Sequence, residues 1–104
     1  MNHLKPPNNV GKNRSAKGSA TFKYQVLDEV YSEVEGDQTT FVYFQKIEES
    51  SGEVKYRFGA YTLGANGRFT DKWFWQQNAP LMTQTVFEDL LEKAHKKGWF
   101  TDKQ

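Results

Sequence analysis

The sequence of 104 residues contains no cysteine and only two histidines, His3 and His95. A chain without cysteine forms no disulfide, no thiolate zinc site, no iron–sulfur cluster and no cysteine nucleophile. Neither histidine stands with serine or carboxylate residues at a recognisable catalytic or ligand spacing. We therefore predict that the protein is not an enzyme and that it holds no metal and no cofactor.

Long hydrophobic runs are also absent. No segment approaches the roughly 18 consecutive apolar residues of a membrane-spanning helix, and residues 1–20 lack the apolar core of a secretory signal. Charged residues make up 26% of the chain and aliphatic plus aromatic residues 37%, which is typical of a soluble globular protein of one domain. We therefore expect a cytoplasmic protein that does not interact with membranes.

Charge is distributed unevenly along the chain. Residues 1–20 contain four basic residues and no acidic one, whereas residues 21–104 carry a net charge of −3, with ten basic against thirteen acidic residues. The first segment is rich in Pro, Asn, Gly and Ser. It has too few apolar side chains to offset the backbone entropy lost on ordering, about 1–2 kcal/mol per residue. We predict a disordered basic arm over 1–20 and one folded domain over 21–104.

The residues near the C-terminus predict one helix over 86–97. Thr85 is a favourable N-cap, and Glu88 three residues later completes a capping box. Gly98 is placed to adopt the left-handed conformation that ends many helices. Apolar side chains recur at steps of one, three and four residues and form a single stripe, which comprises Val86, Phe87, Leu90, Leu91 and Ala94.

Three upstream segments predict β-strands, because they are rich in aromatic and β-branched residues: 40–48, 54–63 and a segment that ends at 73–76. Two-residue turns at Ser51-Gly52 and Asn66-Gly67 connect them, so neighbouring strands are expected to be antiparallel.

Residues 22–34 fit both a strand and a helix pattern. Their valines and tyrosines favour a strand, with a bulge or bend at residues 28 and 29. The predicted fold class is therefore α+β. It is a four-stranded antiparallel meander with one C-terminal helix packed on one face, in the order ββββα.

Side chains alternate between the two faces of a strand, and one helix covers only one face of a sheet. We assign apolar and aromatic residues to the face beneath the helix: Phe41, Tyr43, Ile47, Val54, Tyr56, Phe58, Ala60, Phe69, Trp73 and Trp75. The opposite, open face then collects cations together with rings, and its candidate contact residues are Phe44, Lys46, Lys55, Arg57, Tyr61, Lys72 and Phe74.

An open face that mixes cations with rings suits single-stranded nucleic acid, because rings stack on bases while cations contact phosphates. Gly59 would admit a ligand backbone at this face. The basic arm adds sequence-independent attraction through Lys12, Arg14 and Lys17. We therefore predict a small non-enzymatic module that binds single-stranded DNA or RNA through the open face and the arm.

Two other interpretations stay open. An ordinary solvated sheet face also carries Lys and Arg, and the net negative charge of 21–104 is unlike that of a basic nucleic-acid-binding domain. Alternatively, the protein is a protein–protein interaction module, either an accessory subunit or an inhibitor. Its exposed rings would then anchor a partner, and the acidic segment 28–37 would supply electrostatic complementarity. An exposed strand edge or aromatic face would also allow a homodimer.

Overall fold

The computed structural model describes residues 5–15, 23–34, 37–64, 72–76 and 80–100. These residues form one antiparallel sheet of five strands, paired in chain order as a meander, and one C-terminal helix. The elements are β1 Asn13–Ser15, β2 Lys23–Val34, β3 Asp37–Glu49, β4 Val54–Leu63, β5 Trp73–Gln76 and α1 Gln84–Lys96. The predicted α+β meander with a C-terminal helix is confirmed, with five strands in place of four. The ambiguous segment 22–34 contributes a strand, β2.

The additional strand comes from the segment whose composition predicts disorder. β1 pairs with the start of β2, and the Gly11 amide donates a hydrogen bond of 2.7 Å to the Val26 carbonyl. Asn9 is enclosed, with 1% of its surface exposed. Residues 5–15 therefore pack against the sheet instead of extending from it. Their backbone groups find partners in β2 that composition alone does not reveal.

Helix α1 begins two residues earlier than the capping pattern predicts. Thr83 is the N-cap, and its hydroxyl accepts a hydrogen bond of 3.2 Å from the Val86 amide. The predicted end is confirmed, because Gly98 has a φ of 81° and the Trp99 amide donates a 3.1 Å hydrogen bond to the Ala94 carbonyl. Among the described residues, no helix is long and apolar enough to cross a membrane.

The helix lies across β2 and β3, and we call the side of the sheet that it covers the helix face. Leu90 is fully buried there, as the apolar stripe predicts, whereas Phe87 is exposed. The core on this side consists of the buried residues Val30, Val42, Phe44, Val86, Leu90, Ala94 and Trp99.

The predicted assignment of faces is correct for β4 but inverted for β3, and the length of the loop between them is the reason. A two-residue turn at 51–52 would pair even-numbered with odd-numbered residues. The observed loop has three residues, 50–52, closed by a 2.9 Å hydrogen bond from the Glu49 amide to the Glu53 carbonyl, and Gly52 has a φ of 94°. Even-numbered residues of β3 therefore pair with even-numbered residues of β4, and Phe44 lies opposite Phe58 on the helix face. One extra loop residue moves every side chain of β3 to the other face.

The assignment is also inverted for β5. Trp73 pairs with Leu63 and Trp75 pairs with Tyr61, which places both tryptophans on the face opposite the helix. The predicted turn at Asn66-Gly67 lies outside the described residues.

A bulge in β2 distributes its valines over both faces. The register with β3 shifts between Val26 and Asp28, which leaves Leu27 as the additional residue. Val26 therefore pairs with Ile47 away from the helix, whereas Val30 pairs with Phe44 in the helix-side core. The predicted irregularity near residue 28 is thus present, and it explains why valines at helical spacing occur in a strand.

Candidate functional site

The sheet face opposite the helix is lined by rings, and we call it the aromatic face. Its members are Tyr24, Tyr31, Phe41, Tyr43, Tyr61, Trp73 and Trp75. Six of these rings form a connected series of contacts, with centroid separations from 4.9 Å for Tyr61–Trp75 to 6.2 Å for Tyr43–Trp75. Tyr31 is exposed and Phe41, Trp73 and Trp75 are half-buried. A partly accessible aromatic surface is therefore present on the side of the sheet that the helix leaves free.

The Trp75 indole occupies the space above Gly59. A β-carbon added to Gly59 would lie 2.2 Å from two carbons of the indole, so only glycine leaves room for the ring. Arg57 and Tyr61 lie on either side of Gly59 in β4. The guanidinium of Arg57 is 4.9 Å from the Trp75 ring centroid, a cation–π distance. The gap that the sequence assigned to a ligand backbone is therefore filled by Trp75.

Arg57 also contacts Tyr24. Its guanidinium is 5.1 Å from the centroid of that ring, and one of its nitrogens donates a hydrogen bond to the Tyr24 hydroxyl. The two rings and the planar guanidinium therefore form one cluster, in which the cation is positioned by contacts with uncharged groups.

Residues 5–15, which we call the N-terminal segment, are attached to this face by the buried carboxylate of Glu29. Oε2 accepts a 2.8 Å hydrogen bond from the Asn9 amide, and Oε1 accepts bonds of 3.2 Å from Asn9 Nδ2 and 2.9 Å from Gln45 Nε2. Because a carboxylate only accepts, Asn9 must direct its NH₂ group towards Glu29 and its Oδ1 away from it. Asn9 Oδ1 then accepts bonds of 2.7 Å from Arg14 Nη2 and 2.9 Å from the Tyr61 hydroxyl.

Two tyrosines of the aromatic face are hydrogen-bond donors to the N-terminal segment. Burial raises the pKa of Tyr43 above its usual range, and the nearby charge of Glu29 raises it further. Burial also raises the pKa of Tyr61, although the hydrogen bond with Asn9 opposes the effect. Both phenols therefore stay protonated at physiological pH, and Tyr43 donates a 2.6 Å hydrogen bond to the Pro7 carbonyl.

A cavity of about 210 Å³ opens at this junction, and we call it the Asn9 cavity. Its lining combines three aromatic residues, two amide residues, one arginine and one valine: Asn9, Arg14, Tyr24, Val26, Gln45, Tyr61 and Trp75. Neither Arg14 nor Arg57 forms an ion pair within the described part of the chain. The arrangement can hold a planar polar group against the rings and an anion against the guanidinium groups.

The structure brings three of the predicted contact residues together at this cavity: Arg14 and Tyr61 line it, and Arg57 lies on Trp75 beside it. Lys12 is exposed nearby, and its carbonyl accepts a 3.0 Å hydrogen bond from the Val26 amide. Lys55 extends from the same side of β4, but it forms ion pairs of 3.2 Å with Glu49 and 3.9 Å with Glu53.

The other predicted contact residues lie elsewhere. Phe44 is 6% exposed and stacks on Phe58 beneath the helix, at a centroid distance of 4.4 Å. Lys46 and Phe74 lie on the helix face, and Lys72 is exposed immediately before β5. Lys17 lies outside the described residues. Phe44 is therefore a core residue beneath the helix, and its predicted position on the open face is corrected.

Sequence reasoning missed Asn9, Glu29, Gln45 and Trp75. The sequence does single out Gln45. It lies two residues from both Tyr43 and Ile47, so its polar amide shares a row on one strand face with their apolar side chains. A three-residue loop at 50–52 would have placed that row opposite the helix. The face of Trp75 is set instead by its pairing with Tyr61. Asn9 and Glu29 have no such signal, because they are twenty residues apart and only the fold joins them.

Comparison with protein families, with curated proteins and with solved structures finds no match to this chain.

Proposed function

We propose that the protein binds single-stranded nucleic acid on the aromatic face, at and beside the Asn9 cavity. The observation that carries the proposal is the position of Arg14 and Arg57. Both guanidinium groups lack a carboxylate partner among the described residues. Arg57 lies on the ring of Trp75, which is partly accessible, and Arg14 lines the same cavity as that ring. A cation without an ion pair binds phosphate without first losing another salt bridge.

The rings supply the second part of the interaction. Single-stranded nucleic acid exposes its bases, and each base–ring stack contributes about 1–3 kcal/mol. Trp73, Phe41 and Tyr31 form a contiguous group, with centroid separations of 5.7 and 5.6 Å between neighbours. In this arrangement bases stack on these three rings, while phosphates contact Arg57 and Arg14. A duplex hides the faces of its bases, so the same surface favours an unpaired strand.

Fluorescence anisotropy with a labelled oligothymidylate, at two salt concentrations, tests the proposal. Arg57→Gln and Arg14→Gln should each weaken binding several-fold and should reduce the dependence of log K on log salt by about 0.7 per lost phosphate contact. Lys96→Gln is the control, because it removes one positive charge from an exposed helix residue that already forms a 3.6 Å ion pair with Glu92. The control variant should bind as the wild type does.

Tryptophan fluorescence gives an independent readout of base stacking. Trp73 and Trp75 lie on the aromatic face, whereas Trp99 is buried under the helix. Oligonucleotide binding should quench tryptophan emission, and Trp99→Phe should retain that quenching. Absence of oligonucleotide binding near physiological salt, or equal losses in Arg57→Gln and Lys96→Gln, would contradict the proposal.

A further inference from the structure

The sheet has an incomplete edge beside β4. β5 pairs with β4 only from Ala60 to Leu63. The preceding part of β4, from Val54 to Phe58, pairs with β3 on one side and with no described strand on the other. An unpaired strand edge is a template for backbone hydrogen bonds with another extended chain.

The alternation of hydrogen bonds identifies the free backbone groups. The Glu49 amide donates to the Glu53 carbonyl in the ladder between β3 and β4, whereas the Gly64 amide donates 2.7 Å to the Lys72 carbonyl towards β5. Odd-numbered residues of β4 therefore bond to β3, and even-numbered residues face the outer edge. The backbone groups of Val54, Tyr56 and Phe58 point outward, and no described residue bonds to them.

The side chains along this edge differ between the two faces. On the helix face, Val54 and Tyr56 are 42% and 45% exposed, and Phe58 is partly buried beside them. On the other face, Arg57 has no carboxylate partner among the described residues, and Lys55 is half-exposed with Glu49 and Glu53 as partners. The edge thus presents apolar groups on one side and, on the other, a guanidinium group that forms no ion pair with the described residues.

We propose that this edge binds an extended peptide segment by β-strand addition, with apolar and acidic residues alternating in that segment. The backbone of the peptide completes the hydrogen bonds of Val54, Tyr56 and Phe58. Its apolar side chains pack beside Tyr56 on the helix face, and its carboxylates lie beside Arg57 on the other face. This site shares Arg57 with the nucleic-acid site proposed above, whereas the backbone groups of Val54, Tyr56 and Phe58 belong to the peptide site alone.

A second copy of this chain fits the edge less well. Antiparallel pairing of two β4 edges about Tyr56 would place Lys55 of one copy directly opposite Arg57 of the other. The two-fold symmetry of such a dimer would produce this pair of like charges twice. Like charges directly opposite each other destabilise a strand pair. An acidic residue at that position reverses the sign of the interaction, and this favours the peptide over self-association.

Titration of the isotope-labelled full chain with a synthetic peptide, followed by NMR, tests the proposal. The probe is an acetylated and amidated heptapeptide in which valine alternates with glutamate. We expect saturable shift changes and slowed amide exchange at Val54, Tyr56 and Phe58, with little change at β1. The same peptide with lysine in place of glutamate should bind on the order of tenfold more weakly.

Backbone methylation of the peptide provides the sharper control. In antiparallel strand addition, the valine amides face β4 and the glutamate amides face solvent, because residues that pair with Tyr56 share its face. Methylation of the valine amides should abolish binding, whereas methylation of the glutamate amides should preserve it. Equal binding of both methylated peptides, or no shift changes with the unmethylated peptide at millimolar concentration, overturns the proposal.

A variant of the protein tests the same backbone hydrogen bonds by removing the amide donor of Tyr56 in β4. Tyr56→Pro removes an amide that points outward and is not used within the sheet, a position at which edge strands tolerate proline. Tyr56→Thr removes the ring but keeps the amide. The proline variant should lose peptide binding while the threonine variant retains most of it. Concentration-dependent dimerisation that protects these β4 amides without peptide would assign the edge to a second copy and refute the proposal.

Discussion

At the scale of single residues, Gly59 determines how the aromatic face is built. Its missing side chain lets the Trp75 indole lie against β4 between Arg57 and Tyr61, and this contact positions the guanidinium of Arg57. The positions of Trp75, Arg57 and Tyr61 in the candidate site therefore depend on one glycine that contributes no side chain.

Gly59→Ala should lower the free energy of unfolding by about 1–3 kcal/mol, because the added methyl group overlaps the indole and forces it to move. Denaturant titration measures the loss, and a shift of tryptophan emission reports the displaced ring. The control is the same substitution in a Trp75→Ala background, where the space is empty. There the additional cost should be close to zero, and an undiminished cost would show that Trp75 is not the cause.

At the scale of elements, Thr83 and Thr85 near the start of α1 have similar sequence contexts but different roles. Thr83 accepts a hydrogen bond from the Val86 amide, whereas Thr85 lies inside the helix with its surface exposed. Thr83→Ala should cost about 1 kcal/mol of stability, because it removes the capping acceptor. Thr85→Ala should be neutral or slightly stabilising, because alanine has the higher helix propensity. Thermal melts of both variants measure the difference, and the reverse ranking would place the cap at Thr85.

The N-terminal segment is the second element whose role can be measured. Asn9 donates two hydrogen bonds to the buried Glu29 carboxylate, whereas Asn8 is exposed and accepts one local hydrogen bond from the Val10 amide. Asn9→Ala removes the side-chain donor and should cost about 1–3 kcal/mol, because a buried charge loses a partner. Asn8→Ala is the matched control and should cost clearly less. Equal melting temperatures for both variants would show that the segment does not stabilise the domain.

At the scale of the whole molecule, Asp28 joins the sheet to the end of the helix. Its Oδ2 accepts a 3.0 Å hydrogen bond from Trp99 Nε1, and its Oδ1 accepts bonds of 3.1 Å from Lys97 Nζ and 2.9 Å from the Glu29 amide. Partial burial acts to raise the pKa of Asp28, but these hydrogen bonds together outweigh it and hold the pKa below the usual value. The bulge at Leu27 places this carboxylate on the helix face, opposite Lys46.

Folding stability should therefore decrease in acid. A carboxyl with a depressed pKa in the folded state contributes stability that is complete above the unfolded-state pKa, near 4, and is lost as pH falls through the folded-state pKa. Asp28→Asn should be less stable than the wild type at pH 7, and the difference should shrink below about pH 4. Urea titrations across this range measure it. Glu92→Gln, on the exposed side of α1, is the control, and a pH-independent difference for Asp28→Asn would contradict the linkage.

Elements whose signals are local can be predicted from the sequence. The end of α1 followed from Gly98 and its buried side from the spacing of Leu90 and Ala94, because both depend on residues within a few positions of each other. The alternation in β4 likewise placed Arg57 and Tyr61 on one face, and both belong to the candidate site. The start of the helix was misplaced by two residues, because Thr83 and Thr85 are both favourable N-caps.

The tertiary structure alone decided which face of β3 and β5 meets the helix. One additional residue in the loop at 50–52 reverses the face of β3 relative to β4, and a local turn signal does not resolve a difference of one residue. It moved Phe44 into the core and Tyr43 to the aromatic face. The position of the N-terminal segment was equally beyond the sequence. Asn9 and Glu29 are joined by hydrogen bonds across twenty positions of the sequence, so no local pattern encodes them.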